Sequence, residues 1–164
     1  MPRFVIVFVF LVSLASATAF GANGKPKYVF LFVGDGMGPA QIQLTELFAN
    51  TVKRETKVQL AFHDFPIRGR SFTHSFDSPT TDSAASATAF ASGFKTYNGV
   101  VGRNPKGQNL VSIATLAKQA GLKVGILTST SIDHATPAAF YAHQPNRGLY
   151  YDCLLYTSPS PRDS

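Results

Sequence analysis

Cysteine and tryptophan are nearly absent from this sequence. The only cysteine is Cys153, near the C-terminus, and there is no tryptophan, so the residues before Cys153 offer neither a disulfide nor a thiol nucleophile. The 15 Lys and Arg residues are scattered, with no basic helix and no aromatic-basic array. This pattern argues against nucleic-acid binding. The net charge of +6 favours anionic ligands in a general way.

No apolar run reaches the length of about 20 residues that a membrane-spanning helix needs. Residues 4–14 form a shorter apolar stretch behind Arg3, and small residues typical of a cleavage site follow it. This pattern predicts a secretory signal peptide at residues 1–19. We expect a mature protein that starts near Thr18 or Phe20, is periplasmic or secreted, and has no stable membrane insertion.

Residues 152–164 do not continue the patterning of the preceding chain. A reverse translation of residues 153–163 reproduces the end of a transposase-based sequencing adapter read in frame. We therefore predict that residues 152–164 are not native and that residues 20–151 are the N-terminal part of a longer domain. The other interpretation of this segment is a disordered tail rich in Ser and Pro.

Short apolar runs alternate with segments of helical periodicity between these ends. The runs predict two buried parallel strands and one edge strand, at residues 27–34, 122–130 and 71–76. The other segments predict helices at residues 39–50, 83–92 and 110–121, with Pro39 at a helix start and Gly93 and Gly121 at helix ends. This order predicts an α/β fold, a largely parallel central sheet with helices on both faces, here truncated.

Asp35 lies in the glycine-rich segment "VGDGMG", directly after the first predicted strand. The glycine spacing fits neither a dinucleotide site nor a P-loop. The carboxyl ends of parallel strands are where open α/β sheets place their ligands. Two interpretations remain at this point: Asp35 caps the following helix, or it is an oxygen ligand for a metal ion.

Ser83 lies at the predicted N-terminus of a helix of small residues, "TDSAASATAFASG", directly after Asp82. Exposed N–H groups at a helix N-terminus attract a phosphate or an oxyanion, so Ser83 is a candidate nucleophile. No histidine lies nearby in the sequence to take its proton. The alternative interpretation is a tightly packed helix in which Asp82 or Ser83 is only the N-cap.

The segment "SIDHATPAAFYAHQPNR" follows the second predicted strand. His134 and Thr136 are candidate metal ligands near the end of that strand, although a single histidine is often structural. Arg147 is a candidate phosphate ligand because its guanidinium can hold two phosphate oxygens at once. The alternative interpretation is that Arg147 is an exposed surface side chain.

Three stretches in this order resemble the alkaline phosphatase family. They are "GDGMG", "TDSAASATA" followed by "KTYNG", and "HATPAA" followed by "NR", and the resemblance covers residues 27–151. It implies a phosphoric monoester hydrolase that works through a phosphoserine intermediate at a site with two Zn²⁺ and one Mg²⁺. It also implies phosphate monoesters as substrates and a homodimer at full length.

The resemblance assigns a role to each candidate residue. Ser83 would attack phosphorus, activated by zinc rather than by a histidine base. Asp35 would bridge one zinc and the Mg²⁺, and Thr136 would be a ligand at the Mg²⁺ site. Arg147 would hold two phosphate oxygens while Asp82 orients its guanidinium.

His134 departs from part of the family, because many bacterial members have Asp at this position. Imidazole suits Zn²⁺ or Co²⁺ better than Mg²⁺, so we expect another metal there, or Mg²⁺ held through water. If the alignment with the family is shifted by one residue, Asp133 takes this position and supplies the carboxylate.

The remaining metal ligands of the family would lie beyond the end of this chain, so we expect the fragment alone to be inactive. One alternative is a catalytically inactive phosphate-binding protein on the same scaffold. Another is a relative that cuts phosphodiesters or sulfates, against which Ser83 argues.

Overall fold

The computed structural model describes residues 26–53 and 59–155. The predicted signal peptide at residues 1–19 lies outside them, as do residues 156–164 of the predicted non-native tail. The chain divides into two units, Met1–Gly34 and Asp35–Ser164. No helix in the described part of the chain is both long and apolar enough to cross a membrane.

The predicted strands are not formed in the described residues. Residues 28–34 and 122–128 are not paired in a sheet, and the only β-pairing described consists of two isolated bridges. Large side chains of both segments face solvent, with Phe32 87% and Leu127 94% exposed. A strand needs a neighbouring strand for its backbone N–H and C=O groups, and no second strand is present here. The edge strand predicted at residues 71–76 is absent for the same reason.

Two of the predicted helices begin at the residues predicted from the sequence, 39 and 83. α1 spans Pro39–Lys53, and Gly38 precedes it as the N-cap, its carbonyl accepting a 3.1 Å hydrogen bond from Ile42 N. α2 spans Ser83–Ser92, with Asp82 as its N-cap and Gly93 in the left-handed conformation after it. A short 3₁₀ helix at Ala61–Asp64 lies between them.

The remaining helices are short. α3 spans Ile113–Gln119, less than the predicted 110–121, because Ser112 caps it by accepting a hydrogen bond from Thr115 N. α4 spans Ala135–Ala138, and α5 spans Tyr150–Leu155.

The core of the second unit is built from alanines. α2 packs against α3 and α4, and the buried cluster that results consists of Ala84, Ala87, Ala91, Val101, Ala135, Ala138, Ala139 and Ala142. Methyl side chains let two helices approach closely, which brings the N-terminus of α2 near the segment that begins with His134. The small-residue composition of α2 therefore has a packing role in addition to any role of Ser83.

A backbone pairing holds the chain after α4 against the segment that follows α2. Val101 N donates to Gln144 O at 2.9 Å, and Gln144 N donates to Val101 O at 2.8 Å. Farther along, Arg147 N donates to Gly99 O at 2.6 Å. These bonds position Arg147 beside the beginning of α2.

Gly102 is required for this pairing. Its φ of +61° is left-handed, and a Cβ atom at this position would lie 2.2 Å from the carbonyl oxygen of Ala142. Backbone strain and overlap with a rigid carbonyl therefore act together against any side chain here.

We expect Gly102→Ala to lower the free energy of unfolding by roughly 3 kcal/mol, the sum of left-handed strain and overpacking. The matched control is Gly107→Ala, which has a φ of +78° but meets only the side chain of Arg103, at 3.4 Å. It should cost about 1 kcal/mol, from strain alone. Urea unfolding of both variants measures the difference, and equal losses would contradict the close contact at Gly102.

Candidate active site

The hydroxyl of Ser83, the first residue of α2, lies beside the carboxylate of Asp35. Its interaction with Asp35 is the largest of the causes that hold the pKa of this carboxyl below its ordinary value. Partial burial opposes it, while the hydroxyl of Thr136 and the electrostatic influence of His134 and Arg147 act in the same direction as Ser83. Asp35 is therefore ionised at neutral pH and is a weak general base.

Asp35 belongs to the turn before α1 but does not cap that helix, since Gly38 is the N-cap. Its Oδ2 atom instead accepts a 2.8 Å hydrogen bond from Thr136 Oγ1. The capping interpretation of Asp35 is thus wrong, and its carboxylate faces two hydroxyl groups.

Asp82 is the N-cap of α2 and also the partner of Arg147. Its Oδ1 atom accepts a 2.9 Å hydrogen bond from Ala85 N, which caps the helix. Its Oδ2 atom accepts one of 3.0 Å from Gly99 N and one of 3.1 Å from Arg147 Nη1. One carboxylate therefore fixes both the helix N-terminus and the guanidinium. Arg147 is half-buried and ion-paired, so the interpretation as a simple surface arginine is wrong.

His134 is the N-cap of α4 and lies on the other side of the Arg147 guanidinium. Its Nε2 atom is 3.1 Å from Arg147 Nη2, and its Nδ1 atom is 3.4 Å from Thr136 N. A neutral imidazole accepts at only one nitrogen, so only one of these contacts is a hydrogen bond in a given tautomer. The shorter distance favours the bond from Arg147. Both ring nitrogens thus face groups other than the Ser83 hydroxyl.

The structure brings all six candidate residues into one chain of contacts. From Thr136, the contacts lead through His134 and Arg147 to Asp82. In the other direction they lead from Thr136 through Asp35 to Ser83. Within residues 26–53 and 59–155, no three His, Cys, Asp or Glu side chains are grouped so that they could hold a metal ion. The side chains in this contact chain that carry possible metal-binding atoms are Asp35, His134, Ser83 and Thr136.

Comparison with known proteins identifies the family. The sequence profile of the alkaline phosphatases matches residues 26–160, more than half of the chain. The chain belongs to the alkaline phosphatase family. An alkaline phosphatase of Schizosaccharomyces pombe is 42% identical to it over 127 residues, which are 77% of this chain and 24% of that protein. The chain thus spans about a quarter of the length of this curated relative.

Solved alkaline phosphatase structures share the fold of this chain. The cold-active enzyme of the psychrophile Shewanella sp. has a TM-score of 0.68 and 37% identity, covering 76% of this chain and 32% of that one. A mutant of the enzyme from the Antarctic bacterium TAB5, with histidine replaced by aspartate and Mg bound in its M3 site, has a TM-score of 0.59. It is 35% identical and covers 66% of this chain and 31% of that chain. The fold is therefore alkaline-phosphatase-like.

Asn98 and Gly99 contact the site, but from the sequence they were noted only within "KTYNG" and were given no role there. Gly99 bonds to both Asp82 and Arg147, and Asn98 bonds to the backbone of Asp82. The Asn-Gly dipeptide was the available signal, but it indicates a turn and not what the turn contacts.

We expect Ser83→Ala to raise the pKa of Asp35 toward its ordinary value, because the largest stabilising contact of the ionised carboxylate is removed. A ¹³C NMR titration of the metal-free protein measures the change. The lowered pKa makes ionised Asp35 stabilising at neutral pH, and this contribution is lost as the pH falls through the folded-state pKa. The variant should therefore lose part of that pH dependence.

The control for this titration is Ser86→Ala. The Ser86 hydroxyl donates to the backbone oxygen of Asp82 at 2.8 Å. An equal rise of the Asp35 pKa in both variants would show that the Ser83 interaction is not its cause.

Proposed function

We propose that the full-length protein hydrolyses phosphate monoesters with Ser83 as the nucleophile. The observation that carries this proposal is the contact chain in which a serine hydroxyl at a helix N-terminus lies beside the carboxylate of Asp35 and, through Thr136 and His134, is linked to the Arg147 guanidinium. The relatives named above are alkaline phosphatases and support the same activity.

In the proposed reaction, Ser83 Oγ forms a bond to phosphorus and the ester oxygen leaves with the bonding electrons and gains a proton. Water then attacks the phosphoserine, which releases inorganic phosphate and restores the Ser83 hydroxyl. Arg147 holds two phosphate oxygens through both steps, since each terminal nitrogen keeps a second N–H beyond its contact with Asp82 or His134. Asp82 keeps the guanidinium oriented.

Ser83 needs help to lose its proton. Asp35 is a weak base, and the ring nitrogens of His134 face other groups. Zn²⁺, when bound, supplies that help by lowering the pKa of a coordinated hydroxyl and by polarising phosphate oxygens. We propose two Zn²⁺ and one Mg²⁺; Asp35 would be a ligand for a zinc and for the Mg²⁺, and Ser83 would be a ligand for a zinc. The other ligands come from outside the described residues.

Thr136 and His134 are proposed for the Mg²⁺ site. The hydroxyl of Thr136 is a hard oxygen donor that suits Mg²⁺, whereas imidazole suits Zn²⁺ or Co²⁺. The TAB5 mutant with Mg in its M3 site has an aspartate in place of a histidine, which supports the same preference. His134 can bind a metal through Nε2 only after Arg147 Nη2 has left that nitrogen, 3.1 Å away.

The unpaired apolar segments fit this proposal. We infer that residues 27–34 and 122–130 become strands of a largely parallel sheet in the complete protein, with helices on both faces. Their exposed apolar side chains would then be covered. The proposed protein acts as a homodimer in the periplasm or outside the cell after removal of residues 1–19.

We expect Ser83→Ala to lower hydrolysis of p-nitrophenyl phosphate by the full-length protein by at least about a thousandfold, the scale of losing a nucleophile. Acid quenching followed by peptide mass spectrometry should find phosphoserine at position 83 in the wild type only. The control is Ser92→Ala at the other end of α2, whose hydroxyl donates to Thr88 O at 2.7 Å. A wild type that binds phosphate without turnover would instead support the inactive phosphate-binding protein.

We expect His134→Asp in the full-length protein to raise the Mg²⁺ content after dialysis against equal Mg²⁺, Zn²⁺ and Co²⁺, because a carboxylate is a better Mg²⁺ ligand than imidazole. Elemental analysis by mass spectrometry measures the three metals. His74→Asp changes an exposed histidine outside the site and serves as control. Unchanged metal content in the His134 variant would remove His134 from the metal site.

A further inference from the structure

Asn98 bonds to Thr80 and Asp82, in the segment that leads into Ser83. Its Oδ1 atom accepts a 3.0 Å hydrogen bond from Asp82 N, and its Nδ2 atom donates one of 2.9 Å to Thr80 O. Both bonds join residues well separated in the chain, so they fix the entry of the chain into α2 relative to the turn at Asn98. The Asn98 carboxamide thus pairs the backbone N–H of Asp82 and the backbone C=O of Thr80, which have no hydrogen-bond partner within a helix.

Gly99, the next residue, bonds both to Asp82 and to Arg147, the proposed phosphate ligand. Its N–H donates to Asp82 Oδ2 at 3.0 Å, and its carbonyl accepts from Arg147 N at 2.6 Å. The two-residue turn therefore contacts the backbone and the side chain of Asp82 as well as the backbone of Arg147. The relative position of the carboxylate and the guanidinium depends on where this turn lies.

We infer that Asn98 is a positioning residue for phosphate binding, an inference that rests on the proposed phosphatase function. Asn98 sets the position of Asp82, and Asp82 sets the orientation of Arg147 through the 3.1 Å bond to Nη1. Asn98 itself does not touch the reacting atoms. Its loss leaves the guanidinium present but less well ordered, which weakens phosphate binding more than it slows the chemical step.

The test compares two Asn98 variants of the full-length protein with a matched asparagine. Asn98→Ala removes both bonds. Asn98→Asp keeps the shape and the acceptor for Asp82 N but loses the donor to Thr80 O and adds a negative charge. The control is Asn104→Ala, because Asn104 also lies in a turn and bonds locally, to Lys106 N at 3.0 Å and to Gln108 N at 2.9 Å.

Inorganic phosphate, used as a competitive inhibitor of p-nitrophenyl phosphate hydrolysis, is the probe. We expect the inhibition constant of phosphate and the KM to rise by about three- to tenfold in both Asn98 variants, the scale of one or two hydrogen bonds. The kcat should change by less than about twofold, since the Ser83 hydroxyl and its Asp35 partner remain. Asn104→Ala should leave all three constants unchanged, and thermal unfolding identifies any variant that fails to fold.

Two results overturn the inference. One is phosphate inhibition that is unchanged in both Asn98 variants, whether or not kcat falls, and the other is phosphate inhibition that Asn104→Ala weakens equally. If the wild type binds phosphate but hydrolyses nothing, the proposed function fails while calorimetric titration with phosphate still decides the role of Asn98. A wild type that neither hydrolyses nor binds phosphate overturns both.

Discussion

The carboxylate of Asp82 is the constraint on which the rest of the site depends. It caps α2 through Oδ1 and holds Arg147 through Oδ2, and the Asp82 backbone is bonded on both sides. The carboxylate accepts from Ala85 N, Gly99 N and Arg147 Nη1, the Asp82 N–H donates to Asn98 Oδ1, and the Asp82 carbonyl accepts from Ser86 Oγ. A carboxylate with three N–H donors cannot move without breaking several bonds at once. The helix N-terminus and the guanidinium are therefore held as one unit.

The alanine-rich interface between α2 and α4 provides the second constraint. Because Ala84, Ala87 and Ala138 present only methyl groups, the two helices approach closely and leave little freedom to slide. This contact brings the segment of His134 and Thr136 to α2, whose first residue is Ser83. Packing and hydrogen bonding thus determine the site together, and neither Ser83 nor Thr136 needs a neighbour in sequence to find its partner.

The helix ends were predictable from the sequence because caps depend on local chemistry. Asp82 before α2, Pro39 in α1 and the glycine after Ser92 each act within a few residues. The strands at residues 27–34 and 122–130 were wrongly predicted for the described chain, since pairing depends on distant backbone that periodicity does not reveal. The six site residues were chosen by residue type and motif, and the structure groups them. Asn98 was missed because its bonds to Asp82 and Thr80 are tertiary.

The bond between Thr136 and Asp35 joins residues 101 positions apart in the chain. The ion pair between Arg147 and Asp82 joins residues that are 65 positions apart. Closing such loops costs conformational entropy before any contact can compensate for it. During synthesis, the site cannot assemble until Arg147 has left the ribosome, well after Ser83 has emerged. A nascent chain would therefore expose its serine without the guanidinium beside it, and a protein threaded through a membrane would complete its site only on the far side.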